Sequence, residues 1–408
     1  MKPISVNTTI DHLFRHEYGK ITSFLTSKFG SKNIDTIEDA VQDALFKAMQ
    51  LWPYKEIPKE PGKWLYRTAH NAVIDRLRRD QKSTEYDFSQ YEAGDEEPEL
   101  HNEGSIRDEQ LKMIFACCHP SMKETEQLML SLKLLCGFSN KEISRCLLKE
   151  PEAVKKAITR AKQKFKSEVG ELSIPDDAGL TERLQGVLRV IYLLFNNGYT
   201  AYEGDVVLKK DVCEDAIRLS AMLYQNEQCN IPETRALIAL MCFNLSRFDS
   251  RIDGAGNLLI MEQQDWSIWD QSLITLGVQL MEESDIINNL TTYHLEATIA
   301  SEYAIAKNFD SIDWPFILTV YNHLQSISSN PIVALNRLVI LEKIEGPSSA
   351  LKALIKLDVR GLENNHLYYS IKGDFEKKLN LDNYKNSLEK AIELTANQKE
   401  KEFLKAKI

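Results

Sequence analysis

Residues 139–166 carry the sequence signals of two short helices joined by a tight turn. Ser139 and Glu142 have the spacing of a capping box, in which each side chain accepts a hydrogen bond from the other residue's backbone N–H. Pro151 suits the first position of a second helix, where its missing N–H has no helical partner to lose. We therefore predict one helix over residues 140–147 and a second helix that begins at Pro151.

The predicted second helix combines a narrow apolar stripe with basic outer faces. Residues 140–166 contain nine Lys or Arg and three Glu, a net charge of +6 in a chain whose total is −10. A basic helix that follows a short capped helix is suited to enter the major groove of DNA. A solvated helical hairpin that binds nothing is the alternative interpretation. The apolar positions, which recur at the spacing of one helix face, are Val154, Ala157, Ile158, Ala161 and Phe165.

Composition favours a chain built mainly of helices. Only 17 Gly and 12 Pro interrupt 408 residues, and the 43% hydrophobic and 27% charged content is that of an ordinary globular protein of two or three domains. The longest apolar run, residues 236–243, is too short to span a bilayer, and no apolar segment of a signal peptide follows the N-terminus. We expect an all-α fold, no membrane association and a cytoplasmic location.

The seven cysteines lack paired spacing, which favours free thiols in a reducing cytoplasm. The cluster Cys117, Cys118 and His119 could suggest zinc, but adjacent cysteines lack the two-residue separation of structural zinc sites. The sequence contains no Gly-rich phosphate loop. We therefore expect neither a metal nor a cofactor.

Charge is distributed unevenly along the chain. Residues 1–83 have a net charge of +4, residues 84–109 one of −9, and residues 167–408 one of −12. The acidic strip also contains Gly and Pro, and we predict a flexible, extended linker over residues 84–107. A loop inside a single domain is the alternative.

Two amphipathic helices are predicted before this linker. The first covers residues 37–52, with Thr36 as its N-cap and Trp52-Pro53 at its end. Its apolar stripe consists of Ile37, Val41, Ala44, Leu45, Ala48 and Met49. The polar residues outside this stripe are Glu38, Asp39, Gln42, Asp43 and Lys47.

The second of these helices is predicted over residues 63–79. Aromatic rings beside Arg and Asn can hold unstacked bases, because a ring offers a stacking surface and Arg binds the strand backbone. Trp64 and Tyr66, at the start of the helix, are candidates for such stacking, and packing in the core is the alternative. The buried edge is predicted at Leu65, Ala69, Val73 and Leu77, and another face carries Arg67, Asn71 and Arg78.

These stretches together resemble the extracytoplasmic-function sigma factors of bacteria. Residues 38–44 look like the region-two helix that binds core RNA polymerase, and residues 64–79 look like the helix that melts and reads the minus-ten promoter element. Residues 139–166 are similar to region four, which reads the minus-thirty-five element. At Lys155 and Lys156 the family usually has Gln-Arg, so the family's base preference is not carried over.

One subgroup of that family carries a long C-terminal tetratricopeptide-like extension, and the resemblance extends to it. Residues 114–120 and 134–138 are similar to this subgroup, and residues 192–200 resemble the motif that opens the extension, with Asn197 where Glu is commoner. A later match covers residues 264–270. The implied domains are region two at 1–83, the acidic linker at 84–107, region four at 108–172 and the helical extension at 173–408.

The resemblance implies a sigma factor with no catalytic group of its own, since the polymerase carries out the chemistry. The expected partners are core RNA polymerase and promoter DNA. Contacts with the polymerase are expected from Asp39, Gln42 and Asp43. Contacts with the minus-ten element are expected from Trp64, Arg67, Asn71, Arg78 and Arg79. Contacts with the minus-thirty-five element are expected from Lys155, Lys156, Thr159, Arg160 and Lys164, with Lys162, Lys164 and Lys166 touching phosphates only.

The C-terminal part shows helical apolar spacing throughout, and Leu354 and Leu388 exemplify a 34-residue repeat, the tetratricopeptide period. A solenoid of helix pairs offers a concave face to an unknown peptide or protein partner, and a compact bundle without a ligand is the alternative. The acidic charge of this part raises the possibility that it folds onto regions two and four. Helices are predicted over residues 184–195, 211–224, 234–245, 267–282, 292–307 and 314–326.

Two other functions remain open from the sequence. One is a DNA-binding transcriptional activator with a helical sensor domain, which never replaces a sigma subunit. The other is a helical scaffold whose basic helices bind acidic protein partners. In the C-terminal part, Asp265-Trp266 and Asp313-Trp314 are expected to cap or pack helices. Residues 196–199 are either functional or simply a turn, which their Asn-Gly pair predicts.

Overall fold

The computed structural model describes residues 6–80 except 53 and 56, 103–199 except 148 and 176, 210–328 except 255–258 and 285–289, 330–357, and 362–408 except 363 and 396. Within these ranges every regular element is a helix, which confirms the all-α class. The chain divides into two compact units, residues 1–194 and 195–408. The division lies within a helix, C-terminal to the boundary expected at residue 173.

The first unit contains seven helices among its described residues, and an eighth continues into the second unit. They are α1 (Val6–Phe29), α2 (Ile34–Leu51), α3 (Pro61–Asp80), α4 (Glu103–Cys117), α5 (Glu124–Leu134), α6 (Asn140–Leu147), α7 (Pro151–Glu168) and α8 (Asp177–Tyr199). The predicted linker at 84–107 lies mostly outside the described residues, and α4 begins at Glu103, within the last part of that stretch.

Helices α1, α2 and α3 share one hydrophobic core, and the predicted stripes of α2 and α3 supply much of it. Met49 was expected in the stripe, but its side chain is 53% exposed. The buried line of α2, residues 37, 41, 44 and 48, faces α1 and α3. Met49 lies beside this line, on the flank of the helix. The buried stripe residues are Ile37, Val41, Ala44, Ala48, Leu65, Ala69 and Val73.

The start of α2 differs from the prediction. Gly30 has a φ of 82° and leads the chain from α1 into a short 3-10 turn, Ser31–Asn33, that runs directly into α2 at Ile34. The Asn33 side-chain amide donates to the Phe29 carbonyl over 2.7 Å and stabilises this turn. Thr36 therefore lies inside the first turn of the helix, and its prediction as N-cap was wrong.

The helix pair α6 and α7 has the predicted bounds. The Ser139 N–H donates to the Glu142 carboxylate over 2.8 Å, and the Glu142 N–H donates to the Ser139 hydroxyl over 3.2 Å, which confirms the capping box. The Ser144 hydroxyl donates to the Lys149 carbonyl over 2.6 Å and closes the turn between the helices. All five residues of the predicted apolar stripe of α7 are buried.

The second unit continues as a succession of helices. Each of the six predicted spans contains a helix, but the one predicted from residue 267 begins only at Gln271. The helices continue from α8 as α9 (Lys210–Gln225), α10 (Pro232–Ser246), α11 (Gln271–Glu283), α12 (Thr292–Ile305), α13 (Trp314–Ile327), α14 (Pro331–Glu345), α15 (Pro347–Lys356), α16 (His366–Lys378), α17 (Tyr384–Leu394) and α18 (Gln398–Lys405). None of the helices in the described ranges is long and apolar enough to cross a membrane.

Consecutive helices of the second unit pack against each other as pairs. Leu354 on α15 and Leu388 on α17, which are 34 residues apart, are both fully buried. The carboxylates of Asp265 and Asp313 accept backbone hydrogen bonds at helix N-termini, which confirms their predicted capping role. The turn predicted at residues 196–199 was wrong, because these residues complete α8.

Gly19 marks the closest approach between α1 and the chain that follows α5. A Cβ atom at Gly19 would lie 2.1 Å from the Leu135 carbonyl oxygen. We expect Gly19→Ala to lower the free energy of unfolding by about 1–3 kcal/mol, because two backbones must move apart. Gly186→Ala is the matched control, since a Cβ there meets no atom within 4 Å. The free energy of unfolding of this control should rise by up to about 1 kcal/mol, because Ala has a higher helix propensity than Gly. Urea denaturation of both variants measures the difference, and equal stabilities would contradict the packing.

Candidate nucleic-acid interface

Helix α2 presents a polar face formed by Asp39, Gln42 and Asp43, all of which are exposed. The Gln42 amide donates to the Glu38 carboxylate over 3.1 Å. The Asp43 carboxylate accepts a hydrogen bond of 2.6 Å from Arg76 on α3. The three side chains thus share one exposed surface, and Asp43 is fixed by α3 while Asp39 forms no ion pair with a described residue.

The exposed face of α3 carries Arg67, Asn71, Arg78 and Arg79, as the sequence predicted. The Arg79 Nε donates to the Asp75 carbonyl over 3.1 Å and so lies back along its own helix. These residues form a row of cationic and amide groups on one side of the α1–α3 core. The row has the groups needed to hold a nucleic-acid strand, namely guanidinium donors and a side-chain amide.

The aromatic residues at the start of α3 pack against the protein. Tyr66 is 5% exposed and belongs to the core, as the alternative interpretation held. Trp64 is half-buried, and its ring lies 5.7 Å from that of Trp52 in an edge-to-face arrangement. His70, which the sequence analysis missed, stacks on Tyr66 with ring centres 5.7 Å apart. Burial, together with the charge of Lys28, lowers the pKa of His70 and favours the neutral ring.

Helix α7 has two different halves. In the first half Lys155, Lys156, Thr159 and Arg160 are exposed. Lys155 and Lys156 form no ion pair with any residue that the structure describes. The Thr159 hydroxyl donates to the Lys155 carbonyl over 2.9 Å, which leaves its oxygen free only as an acceptor. The exposed first half is the part of α7 that can meet a DNA groove.

The second half of α7 is tied to α2 by a group of charged residues, Asp35, Glu38, Lys162 and Lys166, which we term the α2–α7 ion-pair cluster. Lys162 lies 2.5 Å from the Glu38 carboxylate and 2.9 Å from that of Asp35. Lys166 also pairs with Asp35, and Lys133 on α5 lies 2.9 Å from the second oxygen of Glu38. Glu38 was expected outside the apolar stripe, but it is buried between these lysines.

The charges of the cluster support one another. Burial alone would raise the pKa of Asp35, but hydrogen bonds from Lys166 and Lys162 outweigh it and lower the pKa. Burial likewise opposes the charge of Lys162, yet the Glu38 and Asp35 carboxylates raise the pKa of this lysine. Both partners therefore remain ionised around neutral pH, and the cluster joins α2 to α7 electrostatically.

Lys164 was expected to touch DNA phosphate, and the structure pairs it with Glu126 on α5 over 2.9 Å. Arg160 lies 3.9 Å from the other oxygen of Glu126. Burial would raise the pKa of Glu126, but the hydrogen bonds from Lys164 and from the Lys123 backbone lower it. The Glu126 carboxylate competes with a phosphate for Lys164, whereas the exposed guanidinium of Arg160 is held only loosely.

Cysteine chemistry has no place in this site. Cys117, Cys118 and Cys136 are buried free thiols. Burial raises the pKa of Cys118 to about 12, so its thiol is protonated at neutral pH. In the described part of the chain, no three His, Cys, Asp or Glu side chains come together as metal ligands.

Loss of Lys162 should destabilise the first unit in a pH-dependent manner. At pH 7 we expect Lys162→Met to lower the free energy of unfolding by about 2–3 kcal/mol, because the buried Glu38 keeps only one cation, Lys133, as an ion-pair partner. Asp35, whose pKa is lowered in the folded protein, contributes above its usual value of 3.8 and ceases to contribute as the pH falls further. Lys162, whose pKa is raised, contributes below 10.5 and ceases to do so at higher pH.

The difference between wild type and Lys162→Met should therefore be largest between about pH 5 and 9 and shrink towards both extremes. Chemical denaturation at a series of pH values measures it. Lys155→Met is the matched control on the same helix, and it should change stability by less than about 0.5 kcal/mol because Lys155 is exposed. A difference that is independent of pH would show that Lys162 acts by packing alone.

Two parts of the chain match known protein families. Residues 13–83, which include α2, α3 and most of α1, match the family model of sigma-70 region 2. Residues 183–285 match a family of unknown function, DUF6596. An uncharacterized protein of Rhizobium meliloti (strain 1021) is 31% identical over 383 residues, which cover 92% of this chain and 90% of the relative. No solved structure matches the chain. The chain therefore belongs to the same family as this Rhizobium meliloti protein, and its N-terminal helices are a sigma-70 region 2.

Proposed function

We propose that the protein is a sigma factor of the extracytoplasmic-function type, which binds core RNA polymerase and directs it to promoters. The observation that carries the proposal is the match of residues 13–83 to sigma-70 region 2. That match includes the two helices whose exposed faces bear the expected contact residues. The protein would supply recognition and strand opening, and the polymerase would supply catalysis.

The exposed face of α2 is proposed to dock on the polymerase. Asp39, Gln42 and Asp43 form a compact acidic and amide surface, and such a surface steers association with a basic partner. Asp43 is already engaged by Arg76. Asp39 is therefore the residue whose charge is most available to a partner.

The exposed face of α3 is proposed to hold the melted minus-ten strand. Arg67 and Arg78 suit phosphates, and Asn71 suits a base edge. Trp64 packs edge-to-face on Trp52, so it would contact a base only with the part of its ring that remains accessible. Stacking of a base on Trp64 thus stays a proposal, and the arginines and Asn71 are the stronger candidates.

The first half of α7 is proposed to read the minus-thirty-five element. Lys155, Lys156 and Arg160 are exposed on one end of the helix, and the preceding helix α6 has the capped geometry typical of a helix-turn-helix. Thr159 lies among them and can accept a hydrogen bond. Lys164 would join them as a phosphate contact after separation from Glu126.

The α2–α7 ion-pair cluster would have to open on a promoter. The minus-ten and minus-thirty-five elements are centred about 25 base pairs apart, which is roughly 85 Å of double helix. A compact unit of the size of residues 1–194 has a radius of gyration of only roughly 16 Å. Helices α3 and α7 belong to that unit and are linked through α2, so both cannot reach their elements while the cluster is intact. We infer that promoter binding exchanges the carboxylates of α2 for DNA phosphates.

Transcription with core polymerase tests the proposed function. The purified protein and core enzyme are incubated with a library of genomic DNA fragments, and the RNA 5′ ends are sequenced. A sigma factor should start RNA at defined sites without any other sigma subunit. DNA binding without initiation would instead identify a transcriptional activator. If the protein bound neither DNA nor polymerase, the remaining hypothesis would be the helical scaffold.

Charge reversal on α2 tests the proposed polymerase-binding face through the affinity for core polymerase. Asp39→Arg should reduce binding to core polymerase at least tenfold, because it places a cation against a basic partner surface. Asp382→Arg is the matched control, since Asp382 is exposed in the second unit. Equal loss in both variants would contradict the assignment of the α2 face.

Lys155→Ala combined with Arg160→Ala should change promoter choice while core binding persists.

The second unit is proposed to modulate this activity through its helix pairs, which supply a surface for an as yet unknown protein or peptide. Truncation after Tyr199, which keeps the whole of α8, should then change the yield of RNA in the transcription assay. An unchanged yield would separate the second unit from regulation without affecting the sigma-factor proposal.

A covalent link across the α2–α7 ion-pair cluster tests its opening. Asp35→Cys and Lys166→Cys place two thiols at residues whose side chains pair in the structure. Joining them with a short bismaleimide should reduce promoter-dependent transcription at least tenfold. The same reagent on each single-cysteine variant is the control, because the described native cysteines are buried. Full activity of the linked protein would show that the cluster stays closed on DNA.

A further inference from the structure

Two arginines lie side by side at the end of α10, in the DUF6596 part of the chain. Arg247 follows the last residue of α10, and Arg251 ends the 3-10 turn Phe248–Arg251 that comes next. Burial lowers the pKa of Arg251, and the charge of Arg247 lowers it further. The two guanidinium groups are therefore close enough for their charges to repel.

Tyr199, the last residue of α8, binds both arginines. The Arg247 Nε donates to the Tyr199 hydroxyl over 2.9 Å, and an Arg251 Nη1 donates to the Tyr199 carbonyl over 2.8 Å. The Arg251 guanidinium carbon also lies 4.0 Å from the centre of the Tyr199 ring. These contacts fix the position of both side chains, but each of them is neutral and compensates no charge.

The two arginines form no ion pair with any carboxylate in the described part of the chain. Two other cations of this unit are paired with carboxylates, Arg218 with Asp215 over 2.9 Å and Lys343 with Glu262 over 2.8 Å, whereas Arg337 binds the Asn322 amide. The Arg247 Nη1 is shielded from solvent and has no hydrogen-bond partner. Buried charges in proteins are ordinarily paired and their donors satisfied, so an adjacent unpaired couple with an unused donor requires an explanation.

A phenol and a further cation belong to the neighbourhood of the two arginines. Burial raises the pKa of Tyr303 on α12 to about 12, and Arg247 is near enough for its positive charge to oppose that rise. The Tyr303 hydroxyl is therefore protonated at neutral pH. Lys210, at the start of α9, adds a further cation beside the turn, 3.8 Å from Asp249. The described surroundings thus combine guanidinium and phenol donors, the set that binds oxyanions in fixed geometry.

We propose that Arg247 and Arg251 form a binding site for an oxyanion, a phosphate or carboxylate group carried by a small molecule. The Arg247 Nη1 donates to the anion directly, and the Tyr303 hydroxyl is the second donor. Arg251 supplies charge, and its stacking on Tyr199 positions that ring and with it Arg247. Structural packing accounts for Arg251 and for the Nε of Arg247, but it leaves the Nη1 of Arg247 without a role, and an anion supplies that role.

Titration of the full-length protein with small anions tests the proposal. Inorganic phosphate and acetate are titrated separately by calorimetry and thermal denaturation, with chloride keeping the ionic strength constant. We expect saturable binding of at least one of them, and the tighter of the two identifies the source as a phosphate or a carboxylate. The absence of a saturable response to both, up to about 50 mM, would overturn the proposal.

Variants decide whether the response comes from this site. Arg247→Gln should weaken binding at least tenfold. Arg337→Gln is the matched control, because its guanidinium binds the Asn322 side chain over 2.6 Å elsewhere in the unit, and it should bind as the wild type does. Equal affinity of Arg247→Gln and wild type would overturn the proposal.

Tyr303→Phe keeps the proposal testable if Arg247→Gln fails to fold by circular dichroism. It removes one hydroxyl and leaves the ring packed against Trp314, 6.1 Å between centres. Binding should weaken threefold to tenfold with little change in unfolding temperature in the absence of anion. Unchanged affinity in this variant would contradict the participation of Tyr303 and, with Arg247→Gln unfolded, the site as proposed.

Discussion

The carboxylate of Glu38 is the interaction on which the arrangement of the first unit depends. It belongs to α2 but lies buried between Lys133 of α5 and Lys162 of α7, at 2.9 and 2.5 Å. A buried carboxylate with two lysines is stable only while both remain, since the loss of one leaves an under-compensated charge. One residue of the three-helix core thereby sets the position of the helix pair α6 and α7. The capping box of α6 and the apolar stripe of α7 form the helix pair, and the ion pairs of Glu38 help to hold it against α2.

Helix α7 illustrates how one basic helix can have two functions. Its apolar stripe faces α5 and α6, its first half is exposed, and the lysines of its second half meet carboxylates of the same chain. A count of positive charge along the helix overstates what is available to a DNA strand, because three of its five lysines are paired with carboxylates of the same chain. Under the proposed function, competition between carboxylate and phosphate for the same lysines would make promoter affinity depend on the stability of the first unit, a coupling that a fully exposed helix would not have.

Local patterns predicted the helices well, because caps and apolar periodicity depend on neighbours within a few residues. Ser139, Glu142 and Pro151 were sufficient to bound α6 and α7, and Asp313 to begin α13. The exposed contact residues of α2 and α3 follow from the same periodicity. What the sequence could not reveal are partners distant along the chain. Glu38 has an ordinary polar position next to the stripe, and only the fold brings Lys162 to it. The arginine couple Arg247 and Arg251 was missed for a similar reason, since their lack of an acidic neighbour is visible only in three dimensions.

The burial of the thiols has a consequence for the signals that this protein can receive. The six described cysteines are free and buried. Burial raises the pKa of Cys229 to about 11 and of Cys242 to about 12. Disulfide exchange and peroxide oxidation both proceed through the thiolate, and a thiol with a pKa of about 12 has only roughly one molecule in 100,000 in that form at pH 7. The thiols of Cys229 and Cys242 therefore carry almost no thiolate at pH 7, which makes both of them slow targets for oxidants and for disulfide exchange. Under the proposed function, these two thiols are poor receivers of an oxidative signal.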